Sequence, residues 1–99
     1  MSYKLKGVLP STKSTKKLMA VFINQKTKKT KTTHFGSAGM DDYTITKNKE
    51  QRERYRTRHA KDLKTGDPTR AGYLSYYILW GDSTSLKTNI ASYKKKFNL

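Results

Sequence analysis

The chain has 99 residues and no cysteine, which is room for one hydrophobic core and excludes both a disulfide framework and a thiolate zinc site. Its longest unbroken apolar run, Leu18 to Ile23, falls far short of the ~20 residues that span a bilayer, so a soluble protein with no transmembrane segment is expected. Lysine and arginine number 22 against 7 acids, a net charge of +15; an excess that repels itself calls for a polyanion, with nucleic acid as the usual partner and an anionic membrane or an acidic protein face as rivals.

Residues 1–40 hold nine lysines, no arginine and no acid. The first fifteen, poor in apolar side chains, interrupted by Pro10 and rich in Ser, Thr and Lys, read as a basic arm free to stay disordered until it meets a partner. A single α+β domain is expected over residues 16–99. It opens with a β-hairpin, in which the strand-favouring run Leu18 to Ile23 is followed by a polar turn and a returning strand from Thr30 to Phe35. Thr30, Thr32 and His34 then share one face, and Lys31, Thr33 and Phe35 the other. Lys26, Lys28, Lys29 and Lys31 become candidate phosphate contacts at the tip, with the alternative that they keep a strand edge from pairing. With no aromatic there, the tip offers grip without base stacking.

The Gly36–Gly39 stretch is a tight connection whose spacing matches no phosphate-binding loop. Asp41 and Asp42 are the first acids, and a carboxylate pair raises a metal-dependent nuclease. The preferred reading is that they balance nearby cations or accept backbone amides in a turn.

Lys47 to Leu63 forms the most charged helix candidate, with Thr46 or Asn48 as its cap. Tyr55, His59 and Leu63 make a thin apolar stripe; Arg52 and Arg56 lie on or beside it, and Arg54 and Arg58 stand on another side. Glu50 precedes Arg54 by four residues, a pair worth only ~0.2–0.5 kcal/mol. Arginines without acids suit phosphate oxygens or carboxylates, which makes Arg52, Arg54, Arg56 and Arg58 the principal candidates for polyanion contact, the alternative being a solvated charged face. His34 and His59 read as packed, hydrogen-bonded residues, because a metal site would need two carboxylates to join them. Neither a metal, a cofactor nor a catalytic residue is expected.

Asp67 to Gly81 carries most of the aromatic and aliphatic mass. Asp67 is placed to cap a helix, Pro68 suits its first position, and Gly81 suits a left-handed close. Arg70, Tyr73, Leu74, Tyr77, Ile78 and Gly81 share one face, with Tyr76, Leu79 and Trp80 beside it, so the segment reads as a central core helix. A last helix follows, capped by Ser83 or Thr84, with Leu86, Ile90, Tyr93 and Phe97 as its stripe. Lys94, Lys95 and Lys96 complement its terminal carbonyls, with the alternative that they also join the cationic surface. The expected core is thus Tyr73, Leu74, Tyr77, Ile78, Trp80, Leu86, Ile90, Tyr93 and Phe97, within an architecture of one hairpin and three helices.

The segments His34-Phe35-Gly36, Gly39-Met40-Asp41-Asp42-Tyr43-Thr44, Arg52 to His59, Asp67-Pro68-Thr69, Leu74 to Trp80 and Tyr93-Lys94-Lys95-Lys96-Phe97 together resemble a family of small basic proteins encoded by large nucleocytoplasmic DNA viruses of algae and amoebae. The resemblance covers residues 16–99 and leaves the arm outside. It implies a viral setting, in the virion or the infected host cell, and supplies no catalytic residues. Two roles fit: neutralising packaged nucleic acid, DNA in the first instance, or acting as a minor capsid (cement) protein that bridges acidic faces of coat subunits.

Overall fold

A computed structural model describes residues 3–99. Three strands, β1 (Tyr3–Pro10), β2 (Lys16–Asn24) and β3 (Thr30–Ser37), form an antiparallel sheet in the order β1-β2-β3. Four helices follow: α1 (Tyr43–Thr46), α2 (Lys49–His59), α3 (Ala71–Leu74) and α4 (Leu86–Lys96). A 3-10 segment (Ala60–Thr65) extends α2, and a π-helical turn (Ser75–Leu79) extends α3. The expected α+β class holds. Among these residues no helix is long and apolar enough to cross a membrane.

The expected N-terminal arm is corrected: its residues 3–10 are an outer strand, and residues 1–2 of it lie outside the described residues. Leu5 opposes Phe22 and Val8 opposes Ala20, with a register shift between Leu5 and Gly7. A bulge places one extra residue in the strand, so the inward positions Tyr3, Leu5 and Val8 break the period of two that would have marked a strand. The expected hairpin is therefore two thirds of a meander. Bulge, Pro10 and the flanking lysines 4 and 6 also make β1 a poor template for further pairing.

One sheet face carries Leu5, Ala20, Phe22 and Phe35 into the core against Tyr73, Leu74, Ile78, Leu79, Trp80 and Tyr93. Of the expected core residues, Tyr77, Leu86, Ile90 and Phe97 are half-buried and pack against that cluster. Leu5, Ala20, Phe22, Phe35, Tyr43, Leu79 and Leu99 are buried members outside the expected core set.

The central helix starts later than expected. Asp67 accepts from the Thr69 amide at 2.9 Å and the Thr69 hydroxyl at 2.6 Å, a side-chain turn that holds Pro68 and Thr69 outside the helix. Arg70 takes the cap position in extended conformation. Thr69, 1 % exposed, is pinned to β3 by the Thr33 hydroxyl donating to its carbonyl at 2.8 Å, and the Tyr93 hydroxyl donates to the Pro68 carbonyl. These ties outweigh the local preference for a proline-started helix.

Its end also differs. Gly81 does not adopt the left-handed conformation; a Cβ there would run into the Tyr77 carbonyl oxygen and lie 2.8 Å from the Asn89 side chain. Close approach, not backbone sign, is what requires glycine. Trp80 closes the π turn by donating to the Ser75 carbonyl at 3.0 Å. The buried Asn89 amide donates to Ile78 O at 2.9 Å and Ser83 O at 2.7 Å, and its oxygen accepts from the Ser83 amide. Ser85, one position beyond the expected caps, accepts from the Thr88 amide and starts α4.

Candidate polyanion-binding surface

Helix α2 begins where Asn48 accepts from the Gln51 amide at 3.0 Å, and Arg56, Arg58 and His59 occupy its last turn, where cations complement the terminal carbonyls. None of its residues is fully buried. Tyr55 stacks between Trp80, at 4.4 Å between centroids, and His59, at 4.1 Å. Burial in this stack pushes the Tyr55 hydroxyl above its ordinary pKa, partly offset by its bond with Ser75. His59 Nδ1 lies 3.0 Å from Asp62 Oδ2, and His34 lies 2.7 Å from Ser11 Oγ, so both histidines are packed partners within the fold.

The four candidate arginines separate into two pairs. Arg52 and Arg56 turn inward, with side chains 16 % and 19 % exposed. Arg52 donates to Gly81 O at 3.4 Å, to Asp82 O at 3.3 Å and to Glu53, and lies over the Tyr43 ring at 4.9 Å. Arg56 donates to Trp80 O at 2.9 Å, pairs with Asp82 at 3.2 Å and lies over Tyr76 at 5.2 Å. These guanidinium groups satisfy carbonyls at the end of the central helix, groups that a helix cannot satisfy itself, and that work takes them away from an outward surface.

Arg54 and Arg58 are exposed and share a shallow depression with Gln51, Glu53 and Thr57. Four residues of helix separate them by about 6 Å along the axis, and exposed Lys61 follows on the next turn. Glu50 and Glu53 stand on the same exposed side, with Glu53 held by Arg52.

The hairpin tip is a tight turn in which Asn24 Oδ1 accepts from the Lys26 and Thr27 amides and Asn24 O from the Lys28 amide. Lys26, Lys28 and Lys29 are exposed there. Lys31 is not part of the tip: it turns inward, donates to Thr69 Oγ1 at 2.8 Å and lies over the Tyr3 ring. Lys16, at the other end of β2, lines a cleft with Arg58. Eight strand steps separate Lys16 from Asn24, about 26 Å, so the tip lysines lie at the far end of β2 from the cleft that Arg58 lines and form a separate cationic patch.

That cleft, of about 620 Å³, lies between the Lys16 end of the sheet, the loop before α1, α2 and the central helix. Asp42, 2 % exposed, receives Lys17 Nζ at 2.6 Å and the Thr44 amide at 2.9 Å, capping α1. Asp41 is exposed, so the adjacent acids point apart, as balancing and capping groups do. Among the described residues no three His, Asp or Glu side chains gather where they could hold a metal ion.

Lysine and arginine total 22, and among the described residues ion pairs engage only Lys17, Arg52, Arg56 and Arg70. Five of the 7 acids, Asp42, Glu53, Asp62, Asp67 and Asp82, are already committed to partners. Most of the excess is therefore charge that no acid among the described residues compensates.

Fold and surface together define a small α+β domain with a packed aromatic interior and a cationic exterior. The chain belongs to a family described as "Family of unknown function (DUF5754)", which matches residues 7–59. The match begins inside β1 and ends with α2, taking in the sheet and the arginine helix. No curated protein and no solved structure matches the chain.

Proposed function

We propose that this protein is a non-enzymatic binder of a polyanion, nucleic acid without sequence specificity, acting as a component of a viral particle. The observation that carries the reading is the split of α2: Arg52 and Arg56 are spent on the fold, whereas Arg54, Arg58 and Lys61 stand outside it. Lys26, Lys28 and Lys29 supply a second patch at the hairpin tip. Arginine forks grip phosphate oxygens in a bidentate manner and lysines act as point charges, so the contacts position a backbone and do not distinguish bases. The viral setting rests on the family resemblance of the separated sequence motifs.

Exposed Met40 and Ile45, 63 % and 59 % accessible, favour a second reading, that of a minor capsid protein wedged between coat subunits. Fractionating virions into shell and genome-containing core separates the two. Recovery with the genome, together with binding that weakens steeply with salt, supports the first reading. Recovery with the shell and a flat salt response supports the second.

A further inference from the structure

We infer that the preferred ligand is double-stranded nucleic acid and that single strands bind more weakly. This rests on the polyanion reading above and names the substrate class of that surface. Proteins that hold single strands by design offer aromatic rings on which successive bases stack, at about 1–3 kcal/mol per base. This chain has 11 % aromatic residues, but among the described residues none of its Phe, Tyr or Trp side chains is exposed.

The half-buried rings are also occupied. Tyr55 has Trp80 on one side and His59 on the other. Tyr76 lies under Arg56 and against Tyr77, and Tyr77 lies under Lys96 and against Phe97. Tyr3 packs on Phe22 beneath Lys31. Among the described residues, an unpaired base would find charge at this surface and no exposed aromatic ring to stack on.

What remains is recognition by charge density. A duplex carries one negative charge per about 1.7 Å of axis and a single strand one per about 3.4 Å, and the logarithmic salt slope per neutralised phosphate is about −0.9 for duplex against about −0.7 for single strands. For about four phosphate contacts the slopes become roughly −3.6 and −2.8. If the two ligands bind equally at 1 M salt, the duplex then binds about sixfold tighter at 0.1 M. The outer cations also come from regular elements, a helix row and a tight turn, which suit a stiff partner whose phosphates are already in place.

The test uses the full chain and a labelled DNA of one length, as a duplex and as a single strand, titrated by fluorescence anisotropy over a series of salt concentrations. Emission from Trp80, the sole tryptophan, is followed in parallel with unlabelled DNA. The duplex should bind several-fold tighter with the steeper slope, and Trp80 emission should stay unchanged with the single strand. Equal or tighter binding of the single strand, or quenching of Trp80 on adding it, overturns the inference and leaves the polyanion reading standing. Absence of salt-dependent binding to either form overturns both.

Discussion

Arg56 donates from Nε to the carbonyl oxygen of Trp80 at 2.9 Å, joining the arginine helix to the end of the aromatic one. The same guanidinium reaches Asp82 and covers Tyr76, so a residue that looks like a surface cation in sequence is a structural brace. A hydrogen bond from a charged donor is worth about 1.5–3 kcal/mol. Arg56→Ala should therefore lower unfolding free energy in urea by about 1.5–3 kcal/mol. Arg56→Lys should recover little of this, because an ammonium lacks the planar fork that serves carbonyl, carboxylate and ring together.

Arg54→Ala and Arg58→Ala should behave in the opposite way. Both side chains are exposed, and among the described residues neither bridges to an acid, so their removal should change stability by no more than about 0.5 kcal/mol. Urea melts of the four single arginine variants check this division. The expected order places Arg52→Ala and Arg56→Ala well below the wild type and the other two beside it.

Gly81→Ala should be strongly destabilising without touching any charged group. The added carbon would meet Tyr77 O and the Asn89 side chain, and overpacking of this kind costs about 1–3 kcal/mol. Asn89→Ala should cost a similar amount by leaving Ile78 O without its side-chain donor in the interior. Because the two residues are in contact, the double variant should cost less than the sum of the singles, which a double-mutant cycle measures.

Stability should fall at both ends of the pH scale for identified reasons. The Thr69 hydroxyl, foremost, holds Asp67 below its ordinary carboxylate range, helped by the Thr69 amide, Lys31 and Arg70 and opposed by burial. A depressed folded pKa means its stabilising contribution is complete above the unfolded value near about 4 and is lost as pH falls through the folded one. Burial pushes the Tyr93 hydroxyl far above its ordinary value, and Tyr55 and Tyr77 are raised as well. These contributions are complete below about pH 10 and are lost as pH rises, because the unfolded chain ionises first. Asp67→Asn should flatten the acid limb of the stability profile, and Tyr93→Phe part of the alkaline limb, as read by urea midpoints across pH.

Much of this fold was legible from local pattern. β2 and β3 announced themselves through branched and aromatic residues around a polar turn, and the stripe Leu86, Ile90, Tyr93 and Phe97 placed α4. β1 was hidden because its bulge shifts the inward positions from Leu5 to Val8, so the strand lacks an even alternation. The true start of the central helix was hidden because Pro68 and Thr69 are held by distant partners, Tyr93 and Thr33. The candidate surface was only half legible. Helical spacing put Arg52 and Arg56 beside the apolar stripe, but nothing local shows that carbonyls of Trp80, Gly81 and Asp82 wait there. Lys16 was missed because its neighbour across the cleft, Arg58, is 42 positions away.

The central claim is that cations outside the fold, and not those bracing it, meet a polyanion. Duplex DNA binding measured against salt concentration for wild type, Arg54→Ala/Arg58→Ala and Arg52→Ala tests it most directly, under conditions where all three are folded. The account predicts that the outer double variant lowers the logarithmic salt slope by about 1.8, while Arg52→Ala leaves it near the wild-type value. An unchanged slope in the outer double variant, or an equal loss per arginine on removing Arg52, would contradict it.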